Sequence, residues 1–306
     1  GGQGDEIEDS KYKSWTRGHI LGTGGFGIVF RAQLWSSLEF VAVKEINCKS
    51  LPEKMEKEIR VMMCLKHPHI VRIHGHLRVP NSNTRHIIMQ YCPDGTLRNF
   101  VRDWCQFRST IPAMPEILIR RYTRQLLLAL ECLQKEGIIH HDIKAGNVLL
   151  TNNGQSVCLA DFGEALESAG DGSYPSLNRG GVIGTMFHHA PEIFRYHRRL
   201  VETYDEKVDV WALGCVVFEM LTGKLPESVL APQLGFDLDP ENMHYIYKMR
   251  GIKDEKMFIP PFHHYLQHMA EAVSLLDKCF TLDPRSRKSA SELLSEPFCQ
   301  HDLVAI

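Results

Sequence analysis

Between Trp15 and Met89 the apolar positions fall in short runs rich in Val, Ile and Phe, among them His19–Leu21, Ile28–Ala32 and Val41–Val43. Runs of this length predict β-strands, interrupted by one charged helix near Pro52–Leu65. Ile87-Ile88-Met89 closes the strand-rich part, and Gln90-Tyr91-Cys92-Pro93-Asp94-Gly95 carries the turn residues of a hinge. Beyond it the period becomes helical, over Leu97–Arg108, Pro115–Glu136, Asp205–Leu221, Asn242–Arg250, Tyr265–Phe280 and Ala290–Leu294. The stretch Glu164–Gly181 is rich in Gly, Ser and Asp without a period, and is expected to be mobile. No internal repeat is present. The pattern predicts an α+β protein: a small β-rich lobe at 15–89, a hinge at 90–95 and a larger helical lobe at 96–300. Polar residues 1–14 read as a flexible leader and 301–306 as a tail.

Chemistry enters with His140-His141-Asp142-Ile143-Lys144-Ala145-Gly146-Asn147 and, further on, Asp161-Phe162-Gly163. These clusters set an acid able to accept a proton, Asp142, beside a phosphate contact, Lys144, and two side chains suited to Mg²⁺, Asn147 and Asp161. That is the equipment of phosphoryl transfer, where positioning and charge neutralisation carry most of the catalysis. Upstream, Gly22-Thr23-Gly24-Gly25-Phe26-Gly27-Ile28-Val29 fits G-x-G-x-x-G-x-V. Alone, such a loop could equally open a dinucleotide-binding helix. Here Val29-Phe30 and a second extended run follow it, which favours a β-hairpin folded over nucleotide phosphates. Val41-Ala42-Val43-Lys44 then gives a strand ending in a lysine, 22 residues (44 − 22) beyond the first loop glycine. An isolated lysine there would be an ordinary strand-edge residue; the surrounding motifs make it a candidate phosphate ligand.

Taken in this order, the motifs resemble a eukaryotic-type protein kinase catalytic domain, from about Trp15 to Phe298. The resemblance implies the bilobal kinase fold, with ATP bound between the lobes together with Mg²⁺. It implies that Leu21, Gly22, Gly24, Gly25 and Gly27 cover the nucleotide, and that Val29, Ala42 and Leu149 sandwich the adenine. Backbone groups of Gln90 and Cys92 would bind its edge, with Met89 as gatekeeper. Because pockets of this kind are mostly apolar, these residues could equally be plain core. In Glu56-Lys57-Glu58-Ile59, Glu58 resembles the helix glutamate that pairs with Lys44, with Glu56 as its rival. Gly184-Thr185 and Ala190-Pro191-Glu192 resemble the end of an activation segment spanning 161–192. Thr185 is the hydroxyl near the catalytic acid, and Arg287 the partner of Glu192. That segment implies a protein substrate and not a small molecule. Lys144 and Thr185 point to serine or threonine as acceptor. The histidine pair before Asp142, the run 139–150, Asp-Phe-Gly-x-Ala-Leu at 161–166 and Gly-Thr-x-x-His at 184–188 are similar to the MAP kinase kinase kinases Cot and NF-κB-inducing kinase. The implied function is a signalling serine/threonine kinase acting on MAP kinase kinases or other signalling kinases, under a regulatory partner. The alternative is a pseudokinase scaffold; Lys44, Glu58, Asp142, Asn147 and Asp161 are all present and favour the enzyme.

One position departs from the family pattern. His141 stands where an arginine usually binds a phosphorylated activation segment through a bidentate, permanently charged fork. An imidazole, with an ordinary pKa of about 6.5, is mostly neutral at pH 7. Control by segment phosphorylation is thereby expected to be weak.

Composition narrows the picture further. The chain has 306 residues, 43% of them hydrophobic, enough for two cores. A formal net charge of −2 gives no broad basic face for nucleic acid. Nine cysteines without a CxxC pair suggest reduced thiols and a cytoplasmic setting. Sixteen histidines include the pairs His188-His189 and His263-His264, which lack metal-motif context and read as structural or surface residues. No apolar leader and no uninterrupted apolar span is evident, since Val210–Leu221 contains Glu219.

Overall fold

Alternating apolar positions produce five antiparallel strands: β1 (Trp15–Gly24), β2 (Gly27–Leu34), β3 (Phe40–Asn47), β4 (Ile73–Arg78) and β5 (Thr84–Gln90), in the order β1-β2-β3-β5-β4. The structure is a computed structural model that describes residues 6–7, 9–24, 27–47, 52–168, 186–235, 249 and 251–300. It divides into two compact units, Gly1–Pro93 and Asp94–Ile306.

Register sorts the small unit's side chains. Phe30 pairs with Val43, Ala32 with Val41, and Val43 with Ile88. Side chains alternate faces with a period of two, so these residues share one side of the sheet. With Ile7 and Leu34 they form a buried core. Val29 pairs with Lys44, and Ala42 with Met89, which sets these four on the opposite face. Helix α1 (Pro52–Cys64) follows β3 and opens on a proline, whose missing N–H has no helical partner to lose.

Residues 6–7 and 9–13, read from sequence as part of a leader, pack within this unit. The Ile7 N–H donates to the His76 carbonyl at 3.0 Å, and its side chain enters the core. Gly75, at φ +146°, makes room: a Cβ there would lie 2.4 Å from Ile7 Cγ1. Tyr12 stacks on His74 with ring centroids 4.9 Å apart. A single isoleucine in a polar stretch has no period, so sequence patterning could not reveal this docking.

In the large unit, Thr96 caps α2 (Leu97–Phe107), its hydroxyl accepting from the Asn99 N–H at 3.2 Å. Helix α3 (Glu116–Lys135) buries Ile119, Tyr122, Thr123, Leu126, Leu127, Leu130 and Leu133, a stripe at helical spacing. It packs on β8 (Ser156–Leu159), which forms a hairpin with β7 (Val148–Thr151). Helices α4 (Pro191–His197), α5 (Lys207–Thr222) and α6 (Pro226–Gln233) follow. In α5 every residue from Val208 to Thr222 is buried; a helix apolar on all sides is a core helix.

Two sequence expectations change here. The run Tyr265–Phe280 divides into helices Phe262–Tyr265 and Ala270–Cys279. The break is a turn closed by the Met269 N–H on the Leu266 carbonyl, and both side chains are buried from that turn. The stretch from Glu164 does not start as a free loop: β9 (Leu166–Glu167) pairs with β6 (Ile138–Ile139). Residues 169–181 of that stretch, and most of the helix expected at Asn242–Arg250, lie outside the described residues. Among those described, no helix is long and apolar enough to cross a membrane.

Candidate active site

In the small unit, the glycine run forms a hairpin and no helix follows it: Gly24 pairs with Gly27, and Gly22 with Val29. Gly27 is demanded by the sheet itself, because a Cβ there would lie 2.1 Å from the Glu45 carbonyl oxygen. At Gly22 a Cβ would meet nothing within 4 Å, so that position faces open space. Gly25 lies outside the described residues. Leu21 is exposed. Val29, Ala42 and Met89 share a face with Lys44, away from the Phe30–Ile88 core, which separates them from the plain core residues. Lys44 Nζ donates to Glu58 Oε1 at 2.5 Å, with both side chains largely buried. Glu56 turns instead to Arg85. Gln90 donates its N–H to the Arg72 carbonyl at 2.8 Å, so this N–H is not a donor for a ligand. Cys92 is half-buried and outside any disulfide.

The large unit assembles the other set. After β6 the chain turns sharply, with His141 at φ +70°. Two backbone donors hold the turn: the N–H groups of His140 and His141 bind Asp209 Oδ2 and Oδ1, at 2.7 and 3.1 Å. Burial pushes the Asp209 carboxyl up to about 6, while these bonds and nearby His140 oppose that rise. His140 Nδ1 accepts from the Asp142 N–H at 3.0 Å, so Nε2 carries the proton and donates to the Ala160 carbonyl at 2.8 Å. The His140 ring also meets Phe162 edge-on, centroids 4.8 Å apart, linking the two sequence motifs.

The Asp142 carboxylate sits within this frame. Asn147 Nδ2 donates to its carbonyl at 2.8 Å and to Oδ2 at 3.1 Å. Lys144 Nζ lies 3.8 Å from the same Oδ2. The 3₁₀ turn Ala145–Asn147 leads into β7, where Leu149 lies opposite Cys158, and the Asn147 carbonyl accepts from the Ala160 N–H at 2.8 Å. Asp161 follows at φ +56°, exposed, its Oδ1 accepting from the Gly163 N–H at 3.2 Å. Asn147 Oδ1 and Asp161 Oδ2 are thus left without hydrogen bonds among the described residues. One carboxylate and one amide oxygen suit a hard cation completed by phosphate oxygens, as Mg²⁺ prefers. No group of three His, Cys, Asp or Glu among the described residues could hold a metal by itself. Thr185 lies outside the described residues.

Some neighbours join the site from far along the chain. Asp209 reaches the turn from 68 and 69 positions away. Arg287, completely buried, binds both Glu192 oxygens at 2.5 and 3.0 Å, the pairing the kinase resemblance implies. It also donates to the carbonyls of Thr281 and Lys207. His141 is buried, its Nδ1 3.3 Å from the Glu164 carbonyl and its ring edge-on to Tyr204.

His188 is buried, and neither ring nitrogen has a hydrogen-bond partner among the described residues. Burial, reinforced by the charges of Arg98, His189 and Lys144, drives its pKa down to about 3. The folded protein therefore keeps it neutral, while the unfolded chain protonates near pH 6.5. The unfolded state binds the extra proton, so the stabilisation is complete above pH 6.5 and lost as pH falls toward 3. Wild type should lose roughly 2 kcal/mol of stability relative to His188→Phe from pH 7 to pH 5. Urea unfolding at both values measures it; a difference independent of pH removes His188 as the titrating group.

These two sets of side chains lie within one family match. Residues 15–299 fit the model of the protein kinase domain, and the chain belongs to that family. Cytokinesis protein sepH of Aspergillus terreus is 33% identical over 291 residues, covering 94% of this chain and 19% of that protein. Mitogen-activated protein kinase kinase kinase 2 of Arabidopsis thaliana is 31% identical over 296 residues, 93% of this chain and 40% of the relative. The mitogen-activated protein kinase kinase kinase MST11 of Pyricularia oryzae is 30% identical over 312 residues, 96% of this chain and 30% of the relative. The chain thus spans well under half the length of each.

Proposed function

We propose that this domain is an active serine/threonine kinase of the MAP kinase kinase kinase type, transferring the γ-phosphoryl group of ATP to hydroxyls of downstream signalling kinases. The carrying observation is the cluster Asp142, Lys144 and Asn147, with Asp161 presented beyond it. Family membership implies ATP and a divalent metal in general terms; the names of the relatives support the signalling role and the acceptor class. Asp142 orients the attacking hydroxyl and takes its proton, while Asn147 and Lys144 fix the carboxylate by approaching Oδ2. Lys144 adds a positive charge beside the transferred group. Asn147 and Asp161 would hold Mg²⁺, which neutralises phosphate charge. Lys44, steadied by Glu58, contacts phosphate oxygens, and Val29, Ala42 and Met89, on the same face of the sheet, bound the adenine. None of the eight described cysteines is in a disulfide, which fits a cytoplasmic setting. His141 offers no cationic fork, which supports control by a regulatory partner over control by segment phosphorylation.

The test is Asp161→Asn. Asparagine tolerates the left-handed φ of this position and can keep the bond to Gly163, so the backbone survives. Turnover should fall at least about 100-fold for want of the carboxylate charge, with stability changed by less than about 0.5 kcal/mol. Labelled ATP with a MAP kinase kinase as acceptor, followed by phosphoamino-acid analysis, reads both claims. Retained turnover removes Asp161 as metal ligand, and phosphotyrosine as product removes the serine/threonine assignment.

A further inference from the structure

Next to the candidate base and Lys144 lies an ion pair, Arg98 with Glu219, that the phosphoryl-transfer chemistry does not use. Arg98, in the first turn of α2, donates from Nη2 to Glu219 Oε1 on α5 at 3.1 Å. The Glu219 side chain is 1% exposed, that of Arg98 29%. The guanidinium passes over Gly146, where a Cβ would lie 3.8 Å from Arg98 Nη1 and 4.0 Å from Lys144 Cε. Lys144 is in turn 3.8 Å from Asp142 Oδ2. The order in space is therefore Asp142, Lys144, Gly146, Arg98, Glu219. Burial raises the pKa of the Glu219 carboxyl, and the Arg98 charge opposes that rise. His188, held neutral close by, adds no charge.

This arrangement has a definite electrostatic sign. Glu219 Oε1 is bound by Arg98 while its Oε2 is buried, and what remains toward solvent beside the catalytic turn is the partly exposed Arg98 side chain next to the Lys144 ammonium. We propose that Arg98 is a specificity-determining residue: it masks Glu219 and makes the substrate-side face next to Asp142 cationic, selecting protein substrates with an acidic side chain near the acceptor hydroxyl and rejecting basic ones. The proposal rests on the reading of Asp142 as the base, which places the acceptor there. It differs from a structural role for the ion pair in one respect: removing Arg98 leaves the buried Glu219 carboxylate without its counter-charge, a place that a basic substrate side chain can take, so the preference should reverse and not merely weaken.

The experiment uses serine peptides in which each position on either side of the acceptor carries Glu, Ala or Arg in turn. Wild type should favour Glu over Arg in kcat/KM by about fivefold or more at one position, the ratio that corresponds to about 1 kcal/mol for a partly exposed ion pair. Arg98→Ala should favour Arg at that position, and Arg98→Lys should keep the preference for Glu. Because Arg98→Ala leaves Glu219 buried without a counter-charge, at a cost in stability, Arg98→Ala combined with Glu219→Gln is the second variant; it should show no charge preference while folding normally. The Ala peptide reports the basal chemistry. Should wild type phosphorylate none of the peptides, the catalytic reading fails, and fluorescence titration of the Glu and Arg peptides against wild type and the double variant still decides the charge preference. An unchanged Glu-to-Arg ratio in both variants overturns the proposal.

Discussion

Asp142→Asn should lower kcat by about 10²–10⁴-fold, the span associated with a positioned general base. The surroundings make the effect specific to chemistry. Asn147 and Lys144 both approach Asp142 Oδ2, the backbone N–H is held by His140, and the turn is clamped from behind by Asp209. An asparagine occupies the same volume, so the frame stays in place. Only the basicity is lost, along with the charge that Lys144 faces. The KM for ATP should change little, because Asp142 addresses the acceptor hydroxyl and not the nucleotide. Steady-state kinetics with a protein substrate check both quantities. A kcat within tenfold of wild type would show that the hydroxyl needs no base at this position.

Arg287→Ala should destabilise the large unit by about 3–5 kcal/mol. The guanidinium is wholly buried, binds Glu192 through both oxygens, satisfies two carbonyls and lies 5.2 Å from the Trp211 ring centre. Truncation leaves Glu192 as an uncompensated buried carboxylate, which is costlier than the pair itself was worth. At about 2–4 °C per kcal/mol for a unit of this size, the melting temperature should drop by roughly 10 °C. Replacing Arg287 and Glu192 together by Met and Gln should recover much of that loss, since no lone charge remains. Calorimetry of the two variants decides it. A single variant as stable as the wild type would show that solvent reaches Glu192 after all.

How much of this was legible beforehand depends on the range of each interaction. Strand periodicity over 15–90 predicted the strands, but it left Val29 and Ala42 open as pocket or plain core until the register set them with Lys44, opposite Phe30, Ala32 and Val43. Which face is core required Ile7, a residue in a polar stretch whose burial depends on Gly75 in another strand. The motif spacing likewise brought Asp142, Lys144 and Asn147 into one short turn, where local chain geometry leaves few arrangements.

By itself, then, the sequence determined the α+β class, the glycine hairpin, the strand lysine and the acid–amide set around Asp142, because each is encoded by neighbours along the chain. Tertiary structure decided what distant residues do to them. It gave Lys44 to Glu58 and sent Glu56 to Arg85, because helix α1 presents only one of its glutamates to the lysine. It brought Asp209 under the catalytic turn, left His188 buried and neutral and laid Arg98 over Gly146 onto Glu219. Such pairings join positions tens of residues apart, and the charge, burial and reach that select among them exist only once the chain has packed.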